Sequence, residues 1–239
     1  MKMIVFSGSA CSGKTTIIKE FVSNNQILIV NEAARDLFSC NFKKKLNSKQ
    51  IQMLILAMQI IREQTAIRLA ERNKNIKFIF CDRGVLDGAA FCNIEEMKSI
   101  YDFFGIDVNV YTKNYTLTFL LETIATFDLE TFCKLRPDLD STKEIARNKK
   151  LFDIWSQFSP TLLINDKQII QREKKIGGVI NNLENADKVI YKMEPNQLKR
   201  VEVWLEKMLD LVLYKNSNYE NLINNNKLSN HQNLTKEIN

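Results

Sequence analysis

A glycine-rich loop near the start of the chain constrains the fold more than any other feature. The apolar run Met3–Phe6 leads into the octapeptide GSACSGKT at residues 8–15, and an apolar helical pattern follows. This is the pattern G-x-x-x-x-G-K-[ST] with a strand before it and a helix after it, the context in which such a loop binds phosphate. Only 7 of the 239 residues are glycine and two of them lie here, which makes chance a poor explanation.

The loop predicts a binding site for a nucleoside triphosphate and Mg²⁺. Its glycines let successive backbone N–H groups surround an anion, and the helix N-terminus adds partial positive charge. Lys14 would reach the β- and γ-phosphates, and the Thr15 hydroxyl would bind the metal. Cys11 is interpreted either as a thiol made reactive by the helix N-terminus or, as we favour, as a small side chain that the loop tolerates. The residues predicted to contact the nucleotide are Gly8, Ser9, Ala10, Cys11, Ser12, Gly13, Lys14, Thr15 and Thr16.

The composition excludes several classes of protein. The length suits one sizeable α/β domain. Five cysteines without a C-x-x-C pair, and a single histidine, His231, argue against a zinc site and a His-dependent catalytic triad. Free thiols without a signal peptide or a long apolar run predict a cytoplasmic protein with no transmembrane segment. We assign the net charge of +6 mainly to solvated surface, with an anionic partner, and less readily nucleic acid, as the alternative.

Short apolar runs alternate with helical patterns. The predicted strands are 3–6, 26–30, 76–81, 115–121 and 161–165, and the predicted helices are 15–24, 32–40, 49–72, 85–90, 95–104, 141–158, 168–183 and 197–214. This alternation predicts a three-layer α/β fold of the P-loop NTPase type with a five-stranded parallel sheet. Ser48 is the predicted cap of the long helix, and Ser141 forms a predicted capping box with Glu144. We divide the chain into a domain (1–190), an amphipathic helix packed on it (191–215) and a disordered polar tail (216–239).

Polar residues follow the predicted strands at the edge where open parallel sheets bind ligands. Asp82 comes directly after a buried strand, where a carboxylate can hold a Mg²⁺-bound water or accept a proton. Arg83 can bind a phosphate through two parallel hydrogen bonds, and Glu32 is a candidate general base or ligand of a substrate hydroxyl. The alternatives are a local ion pair in a turn for Asp82 and Arg83, and a partner of the helix dipole for Glu32. The other residues at this edge are Arg35, Asp87, Glu122 and Thr123.

Three arginines in the second half of the chain are candidates for a lid. Phosphoryl transfer needs cations that arrive over the γ-phosphate and exclude water. A loop with Arg136 and a charged helix with Arg147 fit this role, and Arg172 is a further candidate. A solvated charged helix is the alternative.

Five features occur in the order of a known family: GSACSGKTT, IVNEAAR, a glutamine-rich helix around Gln50–Gln64, FCDRGVLDGAAF and the arginine-bearing lid. Residues 1–185 resemble the small AAA-type P-loop domain family that contains the ribosylnicotinamide kinase domain of bacterial NAD-biosynthesis regulators. The chain is similar, more distantly, to deoxynucleoside and thymidylate kinases.

The resemblance implies a role for each matching residue. It implies that the loop around Gly13–Thr15 binds ATP and Mg²⁺, and that Glu32 and Asp82 face the acceptor hydroxyl and the metal. The residues it implies for the substrate are Arg35 and Asp87, to which we add Arg147, and the residues it implies for phosphate are Arg83 and Arg136.

Three functions agree with these residues. The leading hypothesis is a kinase that moves the γ-phosphate of ATP to a hydroxyl of a nucleoside-like or nucleotide-like molecule. The second is a regulatory switch that binds ATP or GTP without transferring phosphate. A polynucleotide 5′-kinase is the third, although the basic and aromatic interleaving of single-strand binding is absent. A Ras-type GTPase is disfavoured, because no N-K-x-D sequence occurs.

Overall fold

A sheet of five parallel strands forms the centre of the computed structural model, which describes residues 1–39, 46–183 and 191–210. Its order is β2-β3-β1-β4-β5, and every neighbouring pair of strands is parallel. The predicted α/β class and five-stranded parallel sheet are therefore confirmed. The strands are β1 (Lys2–Ser7), β2 (Ile27–Val30), β3 (Phe78–Asp82), β4 (Tyr115–Leu121) and β5 (Thr161–Ile164).

Strand β1 occupies the middle of the sheet, and all six of its residues are buried. Its Phe6 lies opposite Asp82 of β3, and its Ser7 lies opposite Leu120 of β4. The C-terminal ends of these three strands therefore meet at one edge, and the loop at residues 8–13 leaves from the middle of that edge.

Helices cover both faces of the sheet and make three layers. One apolar core lies between the sheet, α1 and α8, and contains the Phe6 ring in tilted contact with the rings of Phe80 and Phe119. A second, larger core lies between the other face, α3, α4 and α7. The helices are α1 (Lys14–Glu20), α2 (Ala33–Ser39), α3 (Ser48–Arg72), α4 (Ile94–Phe104), α5 (Val108–Tyr111), α6 (Leu129–Leu135), α7 (Ser141–Phe158) and α8 (Ile169–Leu183).

A further helix at residues 195–210, here named α9, packs against the end of α4. Its Leu198 and Val201 are buried in the larger core. Its Trp204 makes edge-to-face contacts with Phe103 and Phe104, with ring centroids 5.8 and 5.0 Å away. None of the helices in the described ranges is long and apolar enough to cross a membrane.

Some predicted segments lie outside the described residues. They are the end of the second predicted helix at Cys40, residues 211–215 of the predicted amphipathic helix and the predicted tail 216–239. The division of the chain at residues 190 and 215 stays a prediction.

Both predicted helix caps are wrong by one residue. Helix α3 is capped by Asn47 rather than Ser48, and the Asn47 side chain accepts a hydrogen bond from the backbone N–H of Gln50 at 2.9 Å. Helix α7 is capped by Asp140 rather than Ser141, since the Asp140 carboxylate accepts from two N–H groups of the first turn. Asn and Asp cap helices at least as well as Ser, and each stands one residue earlier.

The predicted helix Val85–Ala90 is also wrong in kind. A tight turn follows β3, and only Asp87–Ala90 forms a short 3-10 helix. The Asp87 carboxylate accepts a hydrogen bond from the backbone N–H of Gly84 at 3.0 Å and so closes the turn. The short helices α5 and α6 were not predicted.

Candidate active site

The loop at residues 8–13 presents its carbonyl oxygen atoms to donors from the surrounding protein. The Lys14 ammonium is the donor to the Gly8 and Ser9 carbonyls, and the remaining donors lie outside the loop. The bonds are Gly8 O with Lys14 Nζ (2.8 Å) and Arg83 Nη1 (3.1 Å), Ser9 O with Lys14 Nζ (3.0 Å), Ala10 O with Thr123 Oγ1 (2.7 Å), Cys11 O with the Ile124 N–H (3.2 Å), and Ser12 O with Arg172 Nη1 (2.7 Å).

Three backbone N–H groups at the end of the loop form a cradle for an anion. In the described part of the chain, the backbone N–H groups of Gly13, Lys14 and Thr15 donate no hydrogen bond to the protein. They stand at the N-terminus of α1, where the partial positive charge of the helix is greatest. This geometry is what a phosphate-binding loop requires.

Two glycines allow the loop to turn. Gly8 and Gly13 have φ angles of 141° and 82°, and a Cβ atom on Gly8 would lie 2.4 Å from the Leu121 carbonyl oxygen. Cys11 has a positive φ of 56° without being glycine. Burial raises the pKa of its thiol and outweighs the opposing charges of Arg136 and Lys14, which removes the reason to expect a reactive thiolate.

Lys14 lies inside the cradle with 7% of its surface exposed. Burial, followed by the neighbouring charge of Arg83, lowers the pKa of Lys14 to about 8, while the nearby carboxylates oppose the shift. A buried ammonium among carbonyl oxygens is only partly compensated, so an anion in the cradle would be strongly favoured.

Thr15 and Asp82 bring two oxygen ligands together beside the cradle. The Thr15 hydroxyl donates to Asp82 Oδ2 at 2.7 Å, whereas Asp82 Oδ1 is buried and has no donor among the described residues. Burial raises the pKa of Asp82, and the charge of Lys14 opposes it. An unsatisfied carboxylate oxygen next to a hydroxyl fits Mg²⁺, which takes few protein ligands and completes its shell with water and phosphate.

Arg35 occupies the same corner. Its Nη2 atom donates to Thr15 Oγ1 at 2.9 Å and lies 3.8 Å from Asp82 Oδ2 and 3.4 Å from Glu32 Oε2. Arg35 is therefore a cation beside the predicted metal ligands, and it would compete with a metal ion for their oxygen atoms.

Arg83 connects the loop to two carboxylates. Its Nε donates to Glu32 Oε1, and its Nη1 donates to Gly8 O and, at 3.0 Å, to Asp87 Oδ1. Burial raises the pKa of Glu32, but the charge of Arg83 and its hydrogen bond outweigh burial and hold the pKa below its usual value. Glu32 is thus ionised and oriented by an arginine at neutral pH.

Asp87 is occupied within the protein. Its carboxylate accepts from Arg83, Gly84, the Ser7 hydroxyl (2.8 Å) and the Trp155 indole (3.3 Å). These contacts make it a residue that holds the turn after β3, and its role in binding a substrate stays a prediction.

Helix α7 lies directly on the loop. Asn148 Oδ1 accepts from the Ser9 N–H at 2.8 Å, and Glu144 Oε2 accepts from the Ala10 N–H at 3.0 Å. This contact explains why Glu144 does not form the predicted capping box. Glu144 also pairs with Arg147, whose guanidinium lies 4.5 Å from the centre of the Phe91 ring.

Arg136 lies in the loop between α6 and α7 and pairs through two hydrogen bonds with Asp138 (2.9 and 2.8 Å). Its side chain is 42% exposed. Arg147 is thus connected to the phosphate loop through Glu144, and the charge of Arg136 acts on Cys11 of the loop, whereas the arginine-bearing lid stays a prediction.

Residues 3–166, more than half of the chain, match the family model described as an AAA domain. The chain belongs to this family. No curated protein matches the chain. The resemblance seen in its motifs is confirmed at the level of the family.

The solved structures that share the fold of this AAA domain include two kinases. Deoxyadenosine kinase from M. mycoides, with products dCMP and a flexible dCDP bound, has a TM-score of 0.54 and 16% identity, over 76% of this chain and 100% of that one. Thymidylate kinase from Ehrlichia chaffeensis has a TM-score of 0.50 and 19% identity, over 75% of this chain and 98% of that one. At these identities the likeness shows the fold that the chain shares with these two kinases.

Several residues that build the site of the AAA domain were not predicted in these roles. Thr123 and Arg172 donate hydrogen bonds to carbonyl oxygens of the loop. Glu144 and Asn148 accept hydrogen bonds from backbone N–H groups of the loop. All lie more than a hundred residues from the loop, so no local pattern in the sequence connects them to it. Arg172 is a candidate for the lid by sequence, but it is 2% exposed and its guanidinium donates to the Ser12 carbonyl of the loop.

Arg172 of α8 is expected to be essential for the stability of the loop. It donates to the backbone oxygen atoms of Ser12, Glu122 and Asp166. Arg172→Leu leaves these three acceptors without the donor, so we expect the free energy of unfolding to fall by about 2–4 kcal/mol. Urea denaturation measures the loss. Lys174→Leu, an exposed change on the same helix, is the control, and equal stability of the two variants would refute the role of Arg172.

Glu63 of α3 is a buried carboxyl that the sequence did not single out. It is 0% exposed and accepts hydrogen bonds from Gln59 Nε2 (2.8 Å), the Tyr115 hydroxyl (2.8 Å) and the Tyr111 hydroxyl (3.1 Å). Burial raises the pKa of Glu63 to about 7, although these three donors oppose the shift.

The raised pKa of Glu63 predicts a pH dependence of stability. The folded chain holds this proton more tightly than the unfolded chain, so stability declines as the pH rises from the ordinary value of 4.5 to about 7. Relative to Glu63→Gln, we expect the wild type to lose on the order of 3 kcal/mol of unfolding free energy across this range and nothing further above it. Urea titrations at a series of pH values measure the difference. A constant difference between the two proteins would contradict the shift.

Proposed function

We propose that this protein is an ATP- and Mg²⁺-dependent phosphotransferase that moves the γ-phosphate to a hydroxyl of a nucleoside-like or nucleotide-like small molecule. The observation that carries the proposal is the contact between the phosphate loop and a second set of charged residues. Arg83 donates through Nη1 to Gly8 O of the loop and to Asp87, and through Nε to Glu32. A protein that only bound a nucleotide would need the cradle and the metal ligands but not this second set.

Each residue has a part in the proposed reaction. The backbone N–H groups of the cradle and Lys14 would hold the β- and γ-phosphates, and Thr15 and Asp82 would hold Mg²⁺, which would offset negative charge on the transferring phosphate. Arg83 neutralises charge that develops on the transferring group. Glu32, whose pKa is held low by Arg83, suits the role of orienting the acceptor hydroxyl better than that of a strong base.

The acceptor would lie on the Glu32 side of Arg83. A cavity of about 20 Å³ lies there between Ala33, Gln52, Gln59 and Gly88, which is room for a single water. A nucleoside-sized acceptor therefore requires α2 to move or an approach past the exposed Phe91 ring. The kinases that share the fold support this class of acceptor, since one of them holds dCMP in its structure.

A regulatory switch is the second candidate, and the contact between α7 and the loop favours it. Glu144 and Asn148 bind two N–H groups of the loop, so a nucleotide that alters the loop would be sensed by α7. In this case ATP or GTP would bind without an acceptor.

A screen of acceptors separates the two functions. The release of ADP from ATP is followed with and without nucleosides, nucleotides, ribosylnicotinamide and 5′-OH oligonucleotides. We expect one class of small molecule to accelerate ADP release at least tenfold over slow hydrolysis, because a positioned hydroxyl replaces water. Acceleration by oligonucleotides alone would identify a polynucleotide kinase. Slow hydrolysis that no acceptor changes would support the switch and overturn the proposal.

A further inference from the structure

The turn after β3 has a backbone conformation that the local sequence does not favour. Arg83 has a φ of 76°, in the left-handed region that residues other than glycine rarely adopt. Gly84 has no room for a side chain, since a Cβ atom there would lie 2.7 Å from the Trp155 ring. Such a turn persists only when its surroundings hold it in place, and here it aims the guanidinium of Arg83 at the phosphate loop.

Buried polar side chains hold the backbone on either side of Gly84. Gln59 Nε2 donates to the carbonyl oxygen of Arg83 at 3.0 Å. The Tyr115 hydroxyl accepts from the Val85 N–H at 3.2 Å, and the Tyr101 hydroxyl donates to the Val85 carbonyl oxygen at 2.9 Å.

Glu63 determines how two of these side chains are oriented. The Gln59 amide donates one hydrogen to Glu63 Oε1 and the other to Arg83 O, so Glu63 makes Gln59 present its nitrogen to the turn. The Tyr115 hydroxyl gives its only proton to Glu63, which leaves its oxygen free to accept from the Val85 N–H. Without this buried acceptor, either group could rotate and stop bonding the turn.

We propose that Glu63 is a positioning residue for Arg83: by orienting Gln59 and Tyr115, it fixes the strained turn that aims Arg83 at the transferring phosphate. The proposal rests on the proposed phosphotransferase function, in which Arg83 contacts the reacting groups. Among the described residues, the Glu63 carboxyl is hydrogen-bonded to Gln59, Tyr111 and Tyr115 and to no residue of the loop.

Two variants weaken the connection between Glu63 and Arg83 in different ways. Gln59→Met removes the donor to Arg83 O and leaves Glu63 in place. Glu63→Gln offers one acceptor oxygen where Glu63 offers two, so Gln59 or Tyr115 loses its orienting partner. Tyr111→Phe is the control, because its hydrogen bond to Glu63 is not shared with the turn.

The kinetic test compares kcat with KM at pH 8, above the pKa of Glu63 of about 7. We expect Gln59→Met and Glu63→Gln to lower kcat on the order of tenfold with KM for ATP changed less than twofold, and Tyr111→Phe to stay within twofold of the wild type. Gln59→Met decides the test if Glu63→Gln does not fold. A wild-type kcat in Gln59→Met would overturn the proposal.

A double-mutant cycle separates positioning from general loosening. If Glu63 and Gln59 act through Arg83, their substitution should change the residual kcat of Arg83→Ala less than twofold. The same tenfold loss in both backgrounds would show that they act elsewhere.

A fluorescence measurement tests the connection between Glu63 and the turn after β3 independently of phosphate transfer. Trp155 is fully buried and its indole donates to Asp87 in the same turn, so in a Trp204→Phe background it reports on the turn alone. We expect the acrylamide quenching constant to rise at least twofold in Gln59→Met and Glu63→Gln and to stay unchanged in Tyr111→Phe.

Unchanged quenching in Gln59→Met and Glu63→Gln would refute the positioning role even if no acceptor were phosphorylated. Raised quenching without phosphorylation would instead locate the failure in the proposed function.

Discussion

Lys14→Ala is expected to weaken the binding of ATP by about 10²- to 10³-fold and to abolish its turnover. Lys14 Nζ lies among the carbonyl oxygens of Gly8 and Ser9 and the Ser12 hydroxyl, where water is excluded. An ammonium in such a site interacts with phosphate far more strongly than it would in bulk water. Titration with a fluorescent ATP analogue measures the affinity.

The control for Lys14→Ala is Lys19→Ala, an exposed change in the last turn of the same helix. Lys19→Ala should bind ATP as the wild type does. The fold should tolerate Lys14→Ala, with an unfolding free energy within about 2 kcal/mol of the wild type. The reason is that the cost of burying the Lys14 charge offsets the gain from its hydrogen bonds. Undiminished binding in a folded Lys14→Ala variant would refute the interpretation of residues 8–15 as a phosphate loop.

Asp82→Asn is expected to lower the turnover of ATP by about 10²- to 10³-fold while the affinity for ATP stays within a few fold. The Asp82 carboxylate accepts from the Thr15 hydroxyl through one oxygen and has its other oxygen unsatisfied in the described structure. The asparagine amide is neutral, and its NH₂ group, a hydrogen-bond donor, takes the place of one of the two carboxylate oxygens. It therefore cannot replace the carboxylate as a partner of a divalent cation.

The dependence of turnover on Mg²⁺ checks the Asp82 prediction. In the wild type, turnover should rise with Mg²⁺ and saturate, whereas in Asp82→Asn it should stay low at every concentration. Asp102→Asn, an exposed change on α4, is the control. Full transfer activity in Asp82→Asn would mean that Asp82 serves only as a residue of the turn after β3.

The fold and the phosphate loop could be predicted because both depend on local patterns. Strands such as β1 are short apolar runs between polar residues, and the loop needs its glycines and Lys14 at fixed spacing. Asp82 was found because a carboxylate directly after a buried strand lies, in a parallel sheet, at the same edge as the loop.

The surroundings of the loop could not be predicted, because they depend on contacts between distant parts of the chain. In the sequence Thr123 is an ordinary polar residue after a strand, yet its hydroxyl donates a hydrogen bond to the carbonyl oxygen of Ala10. Glu144 fits a capping box by its spacing, but the loop N–H group competes for its carboxylate and Asp140 caps the helix. Glu63 lies in a helix whose buried face is partly polar, so periodicity gave no indication of its role.

The destination of the γ-phosphate tests the central claim most directly. The protein is incubated with γ-labelled ATP, Mg²⁺ and the acceptor that most accelerates ADP release, and the products are separated by chromatography. We expect the label on the acceptor as a phosphate ester, in amounts equal to the ADP formed, and none with Lys14→Ala. Label found only in inorganic phosphate, with every acceptor tried, would contradict a phosphotransferase.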